Sequence, residues 1–135
     1  MFRGVSHIGI AVKDLNHAIR TYSTAFDVPL PTVHDSPEAG LRAAMIDVGG
    51  SHIELMEPTG EGVITRFVER RGEGIHHICI EVDDLPATLA RLESRGIQLV
   101  DRVGRPGLEG DVAFVDPRSM HNVLIELVQK RGHGI

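Results

Sequence analysis

Tryptophan is absent from this chain, and cysteine and tyrosine occur once each in 135 residues. The single thiol, Cys79, excludes an internal disulfide and any site built from several thiolates. No apolar stretch approaches the roughly 18 residues that a membrane-spanning helix needs. Lys and Arg never form a run, and the formal net charge of -5 argues against nucleic acid or an anionic membrane as the main partner. A local basic patch for an acidic small molecule stays compatible with that balance. The first residues lack the pattern of a signal peptide, so the expectation is a soluble, cytoplasmic protein.

What is present is ordinary in amount and unusual in arrangement. Hydrophobic residues make up 41% and charged residues 24%, as in a globular domain large enough to bury a core without staples. Residues 1–135 read as a single domain made of two copies of one module. When "VSHIGIAVKDLNHAIRTY" from Val5 is laid over "IHHICIEVDDLPATLARL" from Ile75, His7 falls on His77. Ile8, Ile10 and Val12 then fall on Ile78, Ile80 and Val82, and Asp14-Leu15 on Asp84-Leu85. Downstream, "AMID" meets "AFVD" and "IELM" meets "IELV".

Each copy opens with an alternating β-branched strand, Val5 to Val12 and Ile75 to Val82. Amphipathic helices follow at Asn16 to Phe26 and Pro86 to Arg95, with Asp14 and Asp84 as N-caps and Gly96 at a helix exit. Three more strands are expected in the first copy, near 30–34, 40–48 and 51–57, with Gly49-Gly50 as a hairpin turn. In the second copy they are expected near 97–102, 110–116 and 122–129. The modules span 5–58 and 75–130, and residues 59–74 carry a linking helix over Val63 to Arg71. The class is α+β: tandem βαβββ modules forming a cup-shaped mixed sheet.

Neighbouring side chains of a strand point to opposite faces. Ile8, Ile10 and Val12 therefore face the first helix, and His7, Gly9 and Ala11 face away. In the second copy His76 shares the helix-side parity of Ile78, whereas His77 shares the parity of His7. Glu54 and Glu126 alternate with apolar neighbours in the last strands of the two copies. A lone strand His is ordinarily a hydrogen-bonded structural residue, and a lone Glu a solvated one. Here both types recur at equivalent positions in both halves. Two imidazoles and two carboxylates, His7, Glu54, His77 and Glu126, suit a borderline or hard divalent ion with open positions. His17, His34, His52, His76, His121 and His133 are read as ordinary residues, His52 because it sits at a turn.

With these motifs assembled, the chain resembles the methylmalonyl-CoA epimerase family of the vicinal oxygen chelate (glyoxalase/bleomycin resistance/dioxygenase) superfamily. The resemblance runs from "HIGIAVKDL" through "IELMEPTGEG" and "GEGIHHICIEVDDL" to "VLIELVQ". It implies a glyoxalase-like fold and an isomerase that interconverts (2R)- and (2S)-methylmalonyl-CoA, or a close 2-substituted malonyl-CoA, through a metal-stabilised enolate. It also implies that His7, Glu54, His77 and Glu126 bind Co, Mn, Ni or Zn, that the partner is an acyl-CoA thioester, and that the chain forms a homodimer. Inversion needs an acid or base on each face of the carbon. Glu126 is the candidate for one of these. Some family members carry a second catalytic Glu where this chain has Ala43, which cannot move a proton.

Two other readings compete. Glyoxalase I uses a similar His/Glu/His/Glu set on the same fold, although the wording of "IHHICIEVDD" favours the epimerase. A metal-free binder of drugs or other hydrophobes would prefer an aromatic-rich cup, and aromatic content here is only 4%.

Overall fold

In a computed structural model, residues 1–132 are described; His133 lies outside them. The elements are β1 (Phe2–Ala11), α1 (Leu15–Phe26), β2 (Val33–Ser36), β3 (Leu41–Asp47), β4 (His52–Pro58), α2 (Val63–Arg71), β5 (Gly74–Val82), α3 (Leu85–Ser94), β6 (Arg105–Pro106), β7 (Gly110–Val115) and β8 (Ile125–Lys130). The α+β class and the tandem βαβββ order are those expected from the repeat. Short 3-10 turns occupy Pro37–Ala39 and Pro117–Ser119. Two units make up the chain. One is His7–His76, and the other joins Met1–Ser6 to the segment from His77 onward, so β1 and β5 each contribute to both.

In the first unit β1 runs parallel to β4, while β3 pairs antiparallel with both β4 and β2. In the second, β5 runs parallel to β8, and β7 pairs antiparallel with β8 and β6. Both halves are mixed sheets, because a first strand that returns through a helix can lie parallel to the last.

The helices begin as the repeat requires. Asp14 accepts a hydrogen bond from the His17 amide at 3.0 Å, and Asp84 accepts one from the Ala87 amide at 2.9 Å. A second device, invisible in the periodicity, satisfies one more orphan amide at each helix start. The Leu15 amide donates to Glu57 Oε2 at 2.9 Å, and the Leu85 amide to Gln129 Oε1 at 2.7 Å. Each acceptor lies three residues beyond the glutamate of its "IEL" motif, so the two modules fasten helix to last strand in the same way.

Burial follows the parity argument. Leu15 and Ile19 of α1 pack with Val12, Ala44, Ile46 and Leu55, flanked by Ile10 and Ile53. Leu85 and Leu89 of α3 pack with Val82, Ala113, Val115 and Leu127, flanked by Ile80 and Ile125. The face of the first sheet turned away from α1 is partly covered by α2, whose Ile64 packs on Ala11 and Met56 beside Leu41, Ala43, Phe67 and Val68. The chain enters α2 through a close approach at Gly40, with φ of 70° and no room for a Cβ against the Glu61 carbonyl oxygen.

Several boundaries differ from expectation. The stretch 97–102 is no strand: Leu99 makes one isolated bridge to Val115, and the short β6 forms instead at Arg105–Pro106. Ile97 and Leu99 still pack against the α3 core, but the Asp101 carboxylate takes the Phe114 amide at 2.8 Å, displacing the ladder acceptor. β2 starts at Val33 rather than Leu30, since Pro29 and Pro31 offer no amide for pairing. β8 starts at Ile125 rather than Asn122, because His121 and Asn122 adopt φ of 55° and 70°. β1 begins three residues earlier than Val5, and Arg3 within it reaches Asp83 at 2.7 Å and Glu81 at 3.5 Å. Among the described residues no helix is long and apolar enough to cross a membrane.

Candidate metal centre

His7 and Glu54 come together inside the first unit. On β1 and β4 the register partners are His7 with His52 and Gly9 with Glu54, so His7 and Glu54 are diagonal neighbours on one face. His7 Nε2 lies 3.4 Å from Glu54 Oε1. The imidazole is buried and the carboxylate side chain keeps 20% of its exposure.

The second unit repeats this construction. Cys79 stands opposite Glu126 in the β5–β8 register, as Gly9 stands opposite Glu54. His77 Nε2 lies 3.1 Å from Glu126 Oε1, with His77 buried and the Glu126 side chain 13% exposed. Phe114, the β7 residue paired with Glu126, meets the His77 ring edge-on with centroids 6.1 Å apart. Glu81, two same-face steps from His77, is engaged with Arg3 at 3.5 Å and Lys130 at 3.7 Å.

These distances test the pairs as chelates. Two adjacent ligands bound at about 2.1 Å to one octahedral ion stand about 3.0 Å apart, and in a tetrahedral site about 3.4 Å. The His–Glu separations of 3.4 and 3.1 Å match that range. Each pair supplies one imidazole nitrogen and one carboxylate oxygen, a set suited to Zn, Co, Ni or Mn.

The two adjacent histidines have different neighbours. His77 faces Glu126, whereas His76 is set against the Phe67 ring of α2 at 5.1 Å in a T-shaped contact. The helix that receives His76 is therefore the linking helix α2, not α3 as the parity with Ile78 implied. His17, His34 and His121 are exposed. His52 begins β4, opposite both His7 and Asp47, and so shares the His7 face. Ala43 lies opposite Met56 in β3 and packs in the apolar cluster beneath α2, so that position offers no proton carrier.

The sequence profile of the Glyoxalase/Bleomycin resistance protein/Dioxygenase superfamily matches residues 6–115. The chain is 35% identical over 134 residues to the ethylmalonyl-CoA/methylmalonyl-CoA epimerase of Cereibacter sphaeroides, covering 96% of this chain and 99% of that one. It also resembles the crystal structure of methylmalonyl-CoA epimerase from Mycobacterium tuberculosis, with a TM-score of 0.88, 36% identity and coverage of 96% and 89%. A methylmalonyl-CoA epimerase solved with methylmalonyl-CoA and NH4+ gives a TM-score of 0.88 at 29% identity, covering 98% of this chain and 97% of that one.

Proposed function

The chain belongs to the methylmalonyl-CoA epimerase family of the glyoxalase/bleomycin resistance/dioxygenase superfamily, and we propose that it epimerises methylmalonyl-CoA or a close 2-substituted malonyl-CoA at C2. The observation that carries this reading is the His–Glu pair built twice at the same register, His7 with Glu54 and His77 with Glu126. We assign all four residues to one divalent cation, Co, Mn, Ni or Zn. That ion, when bound, supplies Lewis-acid stabilisation of the negative charge that develops on the thioester oxygen.

The side chains define the rest. His7 and His77 are buried, which shields their ring nitrogens from bulk water. The edge-on Phe114 ring limits rotation of His77. The C2 proton is flanked by a thioester and a carboxylate, so its removal leaves an enolate, and the proton goes to the Glu126 carboxylate, which swings off the ion to accept it. Return of a proton to the opposite face of C2 gives the epimer with no net consumption of acid. Ala43 and its apolar neighbours hold no proton, and of the alternatives, a base elsewhere, a bound water or none, we assign the second face to water.

Incubation of (2S)-methylmalonyl-CoA in deuterated water, followed by proton NMR, tests this. The expected result is loss of the C2 proton signal with formation of the (2R) epimer, dependent on added divalent metal. No exchange with any of Co, Mn, Ni or Zn would overturn the proposal.

A further inference from the structure

We propose that the outer face of α2 docks the phosphorylated nucleotide end of a CoA thioester, with Arg66 and Arg70 as the phosphate-binding side chains; this rests on the thioester reading above. α2 borders the face that carries His7 and Glu54. Its Ile64 packs on Met56, the next residue of β4 to point the same way as Glu54, about 7 Å along the strand. An acyl group held at His7 and Glu54 therefore has α2 beside it, and the long arm of a CoA ester can run over this helix.

The helix is charged as such a ligand requires. Val63, Arg66 and Arg70 follow i, i+3, i+7 spacing and share one stripe. All three are exposed, Val63 by 56%. Neither Arg66 nor Arg70 has a side-chain hydrogen bond or ion pair among the described residues. Like charges four residues apart repel on a helix surface. The helix carries three arginines against one glutamate, in a chain whose net charge is -5. The macrodipole accounts for Arg70 and Arg71 in the last turn, but not for Arg66 one turn earlier. Arg71 lies over the Phe67 ring, 5.8 Å from its centroid, and so is turned from the stripe. What remains is a pair of guanidinium forks, which match phosphate oxygens, on one stripe with the exposed Val63 side chain.

The test compares the wild type with the double variant Arg66→Gln/Arg70→Gln, using methylmalonyl-CoA and methylmalonyl-pantetheine, which lacks the nucleotide. For the CoA ester, KM is expected to rise about tenfold in the variant while kcat at saturation holds. For the pantetheine ester, KM is expected to be the same in both proteins. Calorimetry with 3′-phosphoadenosine 5′-diphosphate should show binding to the wild type, weakened by salt and lost in the variant. An unchanged KM for the CoA ester, or an equal rise with the pantetheine ester, overturns the docking site. If neither protein turns over any thioester, the substrate reading fails instead, and the calorimetry still decides whether α2 binds the nucleotide.

Discussion

His76 and His77 are the same side chain one position apart, and their surroundings give them different chemistry. His77 Nε2 lies 3.1 Å from a carboxylate oxygen, while His76 meets the face or edge of Phe67. His77→Ala should abolish retention of a divalent ion through gel filtration, and His76→Ala should leave it near the wild-type level. Equal loss in both, measured by metal analysis, would refute the assignment. Ala43 gives a second residue-scale prediction. General acid–base catalysis contributes about a hundredfold or more where the geometry allows it. Ala43→Glu would place a carboxylate on the same strand face as Met45, and kcat for epimerisation should rise by at least about tenfold. A kcat at or below the wild type, with the fold intact by circular dichroism, would show that water is not the weak partner in proton transfer.

At the scale of elements, the helix starts are held by paired devices, a capping aspartate and a side-chain acceptor from the last strand. Asp14→Ala and Asp84→Ala should each cost about 1 kcal/mol, read from chemical denaturation midpoints. The start of β1 is held differently. The Arg3 side chain, followed by the N-terminal ammonium, holds the Asp83 carboxyl below its ordinary range. A carboxyl lowered in the folded state contributes its stabilisation above the unfolded pKa, and that contribution is lost as pH falls through the lowered value. Amide exchange in residues 2–6 should therefore accelerate only in acid below the ordinary carboxylate range, and Asp83→Asn should remove that dependence. The strands show where local pattern fails. Ile97 and Leu99 alternate inward like strand residues, yet the Asp101 side chain takes over the Phe114 amide and leaves a single bridge.

At the scale of the whole molecule, ligand binding and folding are linked. A divalent ion at about 100 times its dissociation constant should stabilise the protein by about 2.7 kcal/mol, with a chelator reversing the gain. A thermal midpoint indifferent to Co, Mn, Ni and Zn would count against the four-residue assignment. Sedimentation equilibrium should give twice the chain mass, as the family resemblance implies. The module order, the capping aspartates, the helix-facing apolar positions and the His/Glu identities were all legible in the sequence, because periods of 2 and 3.6 residues are properties of local backbone geometry. The repeat added what a single strand could not, since equivalent positions in two copies single out His7 and His77 from six other histidines. Tertiary structure alone decided the Gly9–Glu54 and Cys79–Glu126 registers, the covering of Ala11 and Met56 by α2, and the placement of His52 beside His7. Those depend on which distant segments pair and pack, and a one-residue slip in any ladder would have turned each carboxylate to the opposite face.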